Sequence, residues 1–158
     1  MHSRIYQLSE KPITKDKLKQ EYEYEDIFVG SIADYVAEIP FKSNEYLEDL
    51  KWLSTLTGIE VNAGAGTLII KSKKEYFTEK HDRFKELLAK LSNVTLDEFI
   101  TNNSGLDVYE LNAAYEDKHS FYADDNDEYC EPIPFDNWIR TAEENKVYYI
   151  GSIIDYHF

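Results

Sequence analysis

The chain has 158 residues, 31 Asp and Glu against 17 Lys and Arg for a formal charge of −14, a single cysteine, and 13 Tyr, 8 Phe and 2 Trp. No apolar run approaches the roughly 20 residues a membrane helix needs, and one thiol closes no internal disulfide. So large an acidic excess also argues against direct binding to a nucleic-acid backbone, since affinity for phosphate comes from Lys and Arg.

In chain order, Arg4–Leu8 alternates as a strand with Tyr6 and Leu8 on one side. Pro12 breaks it, and Thr14 is placed to cap a short polar helix to about Glu21. Phe28, Ile32, Tyr35, Val36 and Ile39 then fall at helical spacing, which predicts an amphipathic helix ended by Pro40. Ser43 caps a further helix to Leu56, with Leu47, Leu50 and Leu53 inward and Gly58 just past its end. The period then changes. Ile59 and Val61 alternate, Ala63–Gly66 turns, and Leu68 and Ile70 alternate again, which predicts a β-hairpin.

Two capping boxes follow. Ser72 with Glu75 opens a long helix carrying Phe77, Phe84, Leu88 and Leu91 on one face, and Thr95 with Glu98 opens a short one. Residues 104–115 fit helix and strand equally. Residues 116–134 read as a long acidic and aromatic loop, of a length often tied to function. Phe135–Glu144 is predicted helical, with Trp138 and Ile139 inward. Val147–Phe158 is a strand whose Tyr148, Ile150, Ile154, Tyr156 and Phe158 are expected on one face, paired with the hairpin or with Arg4–Leu8.

The expected fold is α+β: one globular domain over residues 1–158, with a small, mainly antiparallel sheet of about four strands and four to six helices. The segment Gly30–Tyr35 recurs at Gly151–Tyr156 with five of six residues identical. With one copy read as helix and the other as strand, the echo is a coincidence rather than a repeat.

Known chemical motifs fail one by one. Counted from Asp124 as a calcium loop, position six is Tyr129 instead of Gly and position twelve is Phe135 instead of Glu. Gly64 and Gly66 lead into a strand, where a phosphate loop leads into a helix. His2, His81, His119 and His157 lack metal-ligand spacing, and Cys130 has no nearby His to activate it. Asp34 and Asp155, each beside apolar residues, are the acids to inspect for catalysis, although a structural role suits both better. No catalytic set, metal site or cofactor is therefore expected. The N-terminus has neither an apolar core nor a small-residue cleavage site, so the expected compartment is the cytoplasm.

Charge is distributed unevenly. Residues 21–60 carry two basic and ten acidic side chains, and residues 101–158 carry three and thirteen. Tyrosines crowd the same blocks, and Tyr supplies contact area at low entropic cost. The candidate contact residues are Glu21, Tyr22, Glu23, Tyr24, Glu25, Asp26, Tyr122, Asp124, Asp125, Asp127, Glu128 and Tyr129. In composition the chain resembles DNA-mimic inhibitors and nuclease-immunity proteins as a class, without a motif specific to any family. That resemblance implies a non-enzymatic protein that occludes a basic, nucleic-acid-handling partner protein. Two alternatives stand beside it: a small intracellular enzyme or ligand-binding domain with a Tyr- and Asp-lined pocket, and a subunit whose apolar C-terminal strand another chain completes.

Overall fold

A computed structural model describes residues 1–101, 105–125 and 131–158. The architecture is α+β. Its strands are β1 (His2–Ser9), β2 (Tyr35–Ile39), β3 (Ile59–Asn62), β4 (Thr67–Ile70), β5 (Tyr122–Asp124), β6 (Ile133–Pro134) and β7 (Val147–His157). Its helices are α1 (Tyr22–Phe28), α2 (Asn44–Leu53), α3 (Lys73–Ser92), α4 (Leu96–Ile100), α5 (Gly105–Tyr115) and α6 (Phe135–Thr141).

The sheet is larger than expected and mixed: seven strands in the order β3-β4-β7-β1-β5-β6, with β2 also on β7. β7 is its spine. One side pairs with β1 along its length; the other takes β4 at residues 147–149 and β2 at residues 153–157. All pairings are antiparallel except β1 with β5. The C-terminal strand is thus covered on both sides within the chain.

Both faces of the sheet are buried. On one, Tyr6, Leu8, Ile150 and Ile153 pack against Leu50 and Leu53 of α2 and Phe135 and Ile139 of α6. On the other, Ile5, Ile154 and Tyr156 pack against Tyr24 and Phe28 of α1. The register of β1 on β7 shifts between Tyr6, opposite Ile153, and Leu8, opposite Ile150, so β7 carries one extra residue. Such a bulge inverts the alternation beyond it. Tyr148 and Ile150 therefore face the first core and Ile154 and Tyr156 the second, instead of all sharing one face. Gln7 fills the bulge: its Oε1 accepts from the Ser152 and Lys19 N–H groups at 2.9 and 3.2 Å, and its Nε2 donates to the Lys17 carbonyl at 2.8 Å. Gly151 lies so close that a Cβ there would sit 2.3 Å from Gln7 Oε1.

The predicted helix over residues 28–39 is absent. α1 lies earlier, in the Tyr- and Glu-rich run, and ends at Phe28; Gly30 turns the chain at φ +82°, and Tyr35 starts β2. Val36 and Ile39 mimic a helical stripe because they enter opposite cores. The two copies of the echo have different backbones, a turn followed by a strand and a strand interior. The helix expected after Thr14 is a single 3₁₀ turn, Lys15–Lys17, without a side-chain cap. In α2, Ser43 caps the Tyr46 N–H, but Leu47 is exposed and Tyr46 takes the inward place. In α3, Leu87 is the buried leucine while Leu88 is exposed; Phe77 packs against the first core and Phe84 meets Tyr115 of α5. The open segment resolves as α5, and the stretch read as a loop contributes β5 and β6.

Candidate functional site

The two acidic blocks do meet in space, at a buried hydrogen bond. Tyr24 is 2% exposed and Asp124 3% exposed, and the Tyr24 hydroxyl donates to Asp124 Oδ2 at 2.7 Å. Lys19 Nζ lies 4.0 Å from the same oxygen. Burial, and then the Asp124 charge, push the Tyr24 hydroxyl far above the usual tyrosine range. Tyr122 is buried against Phe28 with ring centroids 4.9 Å apart, its hydroxyl donating to the Lys118 carbonyl. Tyr24, Tyr122 and Asp124 hold α1 on the sheet and are not contact surface. We expect Tyr24→Phe to cost about 1–3 kcal/mol, because it removes a donor from a buried carboxylate. Urea unfolding measures this, and a change within experimental error would mean that Asp124 is satisfied without Tyr24.

The other candidates divide. Glu23 accepts from the Gln20 N–H and pairs with Lys19 at 3.2 Å. Glu21 accepts from the Glu38 N–H of β2 at 3.0 Å. Glu25, Asp26 and Asp125 are exposed, as is Tyr22 at 66%. Asp127, Glu128 and Tyr129, with Cys130, lie outside the described residues.

A different acidic surface takes shape around β2. This strand pairs with β7 on one side and, among the described strands, with none on the other. α1 precedes it on one face of the sheet and α2 follows on the opposite face, so residues 21–49 wrap a single sheet edge. The segment carries nine acids and one base, Lys42, and cations from outside it, Lys19 and Arg4, pair with Glu23 and Asp49. Glu21, Glu25, Asp26, Asp34, Glu45 and Glu48 are exposed there, together with Tyr22 and Tyr35. The charge arithmetic contained this half of the surface. It was hidden because the segment carrying Asp34 and Glu38 read as a helix.

A polar chain ties the edge to the sheet. Asp34 Oδ2 bonds His157 Nδ1 at 3.1 Å, and the His157 ring stacks on Tyr35 with centroids 5.4 Å apart. His157 meets His2 edge-on at 4.9 Å, and His2 Nδ1 bonds Asp155 at 2.8 Å. Arg4 then bonds Asp155, and its Nε donates to Asp49 of α2 at 2.9 Å, with Glu45 at 3.7 Å. Asp34 and Asp155 thus serve this chain, each held by a histidine, with Arg4 as a further partner of Asp155.

Elsewhere, a hollow between α2 and α3 is lined in part by Trp52, Tyr76, Lys80 and Phe121. At its margin Asp136 accepts from the Tyr76 hydroxyl at 2.7 Å and from Lys80 Nζ at 2.6 Å, so this carboxylate is already engaged. Among the described residues, no cluster of three His, Cys, Asp or Glu side chains is arranged to hold a metal ion, and no helix is long and apolar enough to cross a membrane. Compared with known proteins, the chain matches no family, no curated protein and no solved structure.

Proposed function

We propose that this is a non-enzymatic binding protein whose acidic edge, formed by α1, β2 and α2, occludes a basic protein partner. The carboxylates stand where a nucleic acid would place its phosphates. The observation that carries this reading is the composition of residues 21–49, in which six exposed acids and two exposed tyrosines share one sheet edge with one lysine. Exposed carboxylates of one sign attract a cationic partner over a Debye length of about 8–10 Å, and the attraction fades with salt. Tyr22 and Tyr35 supply the apolar contact that charge alone lacks.

The test compares two variants of equal charge change. E25Q/D26N/E45Q/E48Q removes charge from the edge; E79Q/D82N/D97N/E131Q removes it from exposed positions elsewhere. Proteins captured from lysate at low salt are eluted with a salt gradient and identified, and their purified forms are then assayed for association rate. The edge variant is expected to lose the partner, the control variant to keep it, and duplex DNA to compete with the wild-type chain for it. A partner retained equally by both variants, or one indifferent to salt, overturns the reading.

A further inference from the structure

We propose a second site, independent of the acidic edge: the hollow between α3, α5 and α6 binds a small aromatic carboxylate. Its walls are the rings of Phe77, Phe84 and Tyr115 with Ala114, and its polar neighbours are Lys80, His81 and Arg140. No acid lines it, although the chain has 31. The volume is about 250 Å³. An apolar cavity of about 150 Å³ already accepts benzene, so there is room for a fused two-ring system.

Arg140 supplies the polar half of the argument. The protein has three arginines, and two are held between carboxylates: Arg4 by Asp49 and Asp155, Arg83 by Glu86 and Glu110. Arg140 instead donates to two neutral oxygens, Asn137 Oδ1 and the Tyr115 carbonyl, the latter at 3.1 Å. Among the described residues it forms no ion pair. Its guanidinium carbon lies 5.1 Å from the Phe77 ring centroid and 5.0 Å from that of Tyr115, so the cation is fixed between two rings at the mouth of the hollow. A guanidinium has five N–H donors in a planar fork, and the two bonds above leave three for a ligand. A carboxylate matches that fork, and an attached ring system fills the space behind it. Lys80 adds positive charge on the wall, although its ammonium is shared with Asp136.

The probe is 2-naphthoate, titrated into the full chain and followed by calorimetry and by backbone amide shifts, with naphthalene-2-carboxamide as the uncharged comparison. The carboxylate is expected to bind at least ten-fold more tightly than the amide, with shifts confined to α3, α5 and α6. Arg140→Gln should abolish that preference, and Arg140→Lys, which keeps the charge but loses the fork, should fall between. The edge variant E25Q/D26N/E45Q/E48Q should bind naphthoate like the wild type, so this proposal and the partner reading fail separately. No binding at millimolar probe, equal affinity for acid and amide, or an affinity unchanged in both Arg140 variants overturns the proposal.

Discussion

Replacing Gly58 by alanine is expected to destabilise the protein by about 3 kcal/mol, a large effect for one methyl group. Gly58 sits at φ +78°, where a side chain meets its own backbone. A Cβ there would also lie 2.3 Å from the Ser72 carbonyl oxygen and 3.0 Å from the Tyr76 nitrogen. Both are backbone atoms of the α3 N-terminus, so no rotamer change relieves the clash. The Gly58 carbonyl in turn accepts from the Lys71 and Ser72 N–H groups at 2.8 and 3.2 Å. One residue therefore joins the turn after α2, the end of β4 and the start of α3. Gly64→Ala is the internal control, since its Cβ would meet nothing closer than Asn62 Oδ1 at 3.5 Å. Urea unfolding of both variants decides the matter, and a Gly58→Ala loss below about 1 kcal/mol would contradict the geometry.

Arg4→Leu is expected to cost about 3–5 kcal/mol at pH 7.5, because it leaves the largely buried Asp49 carboxylate without its cation and Asp155 with His2 alone. The Asp49 and Asp155 side chains are 16% and 13% exposed. Burial raises the Asp49 carboxyl above its ordinary range even with Arg4 pulling it down. Without Arg4 the carboxyl rises further. A group whose folded pKa is raised binds its proton more tightly in the native state, so stability grows as pH falls through that pKa and is lost as pH rises through it. The deficit of Arg4→Leu should therefore be largest at pH 7–8 and shrink as the pH is lowered toward 5. Adding Asp49→Leu should recover part of the loss, as coupled neighbours do. A deficit independent of pH between 5 and 8 would show that Arg4 acts through packing alone.

Local chemistry made much of this fold readable. Ser43 and Thr95 cap the helices they were expected to cap, the hairpin over residues 59–70 forms, and Trp138 and Ile139 point inward. Each of these signals is complete within a few residues. β2 is different, because a strand buried on both faces shows no alternation, and Val36 and Ile39 feed separate cores. β5 was hidden because an aspartate inside a strand looks like loop until its buried partner is known, and Tyr24 lies 100 positions earlier. The bulge in β7 depends on long-range pairing with β1, where Gln7 accepts from Ser152 across 145 positions. Of the two proposed surfaces, the acidic half at residues 21–26 was legible from charge. The Arg140 hollow was not, since Phe77 and Phe84 at helical spacing are indistinguishable from core until α5 covers one side of them.

The central place of β7 has a consequence for how the polypeptide acquires its shape during translation. β1, β2 and β4 all hydrogen-bond to it, yet it is the last of the described elements to leave the ribosome. Until residues 147–157 emerge, three strands have no neighbour on the side β7 will occupy, and both cores lie open. At about 5–20 residues per second that interval lasts many seconds, during which helices form locally while the sheet waits for its axis. Closure is then a single long-range event, the kind of topology whose folding is slow relative to its size.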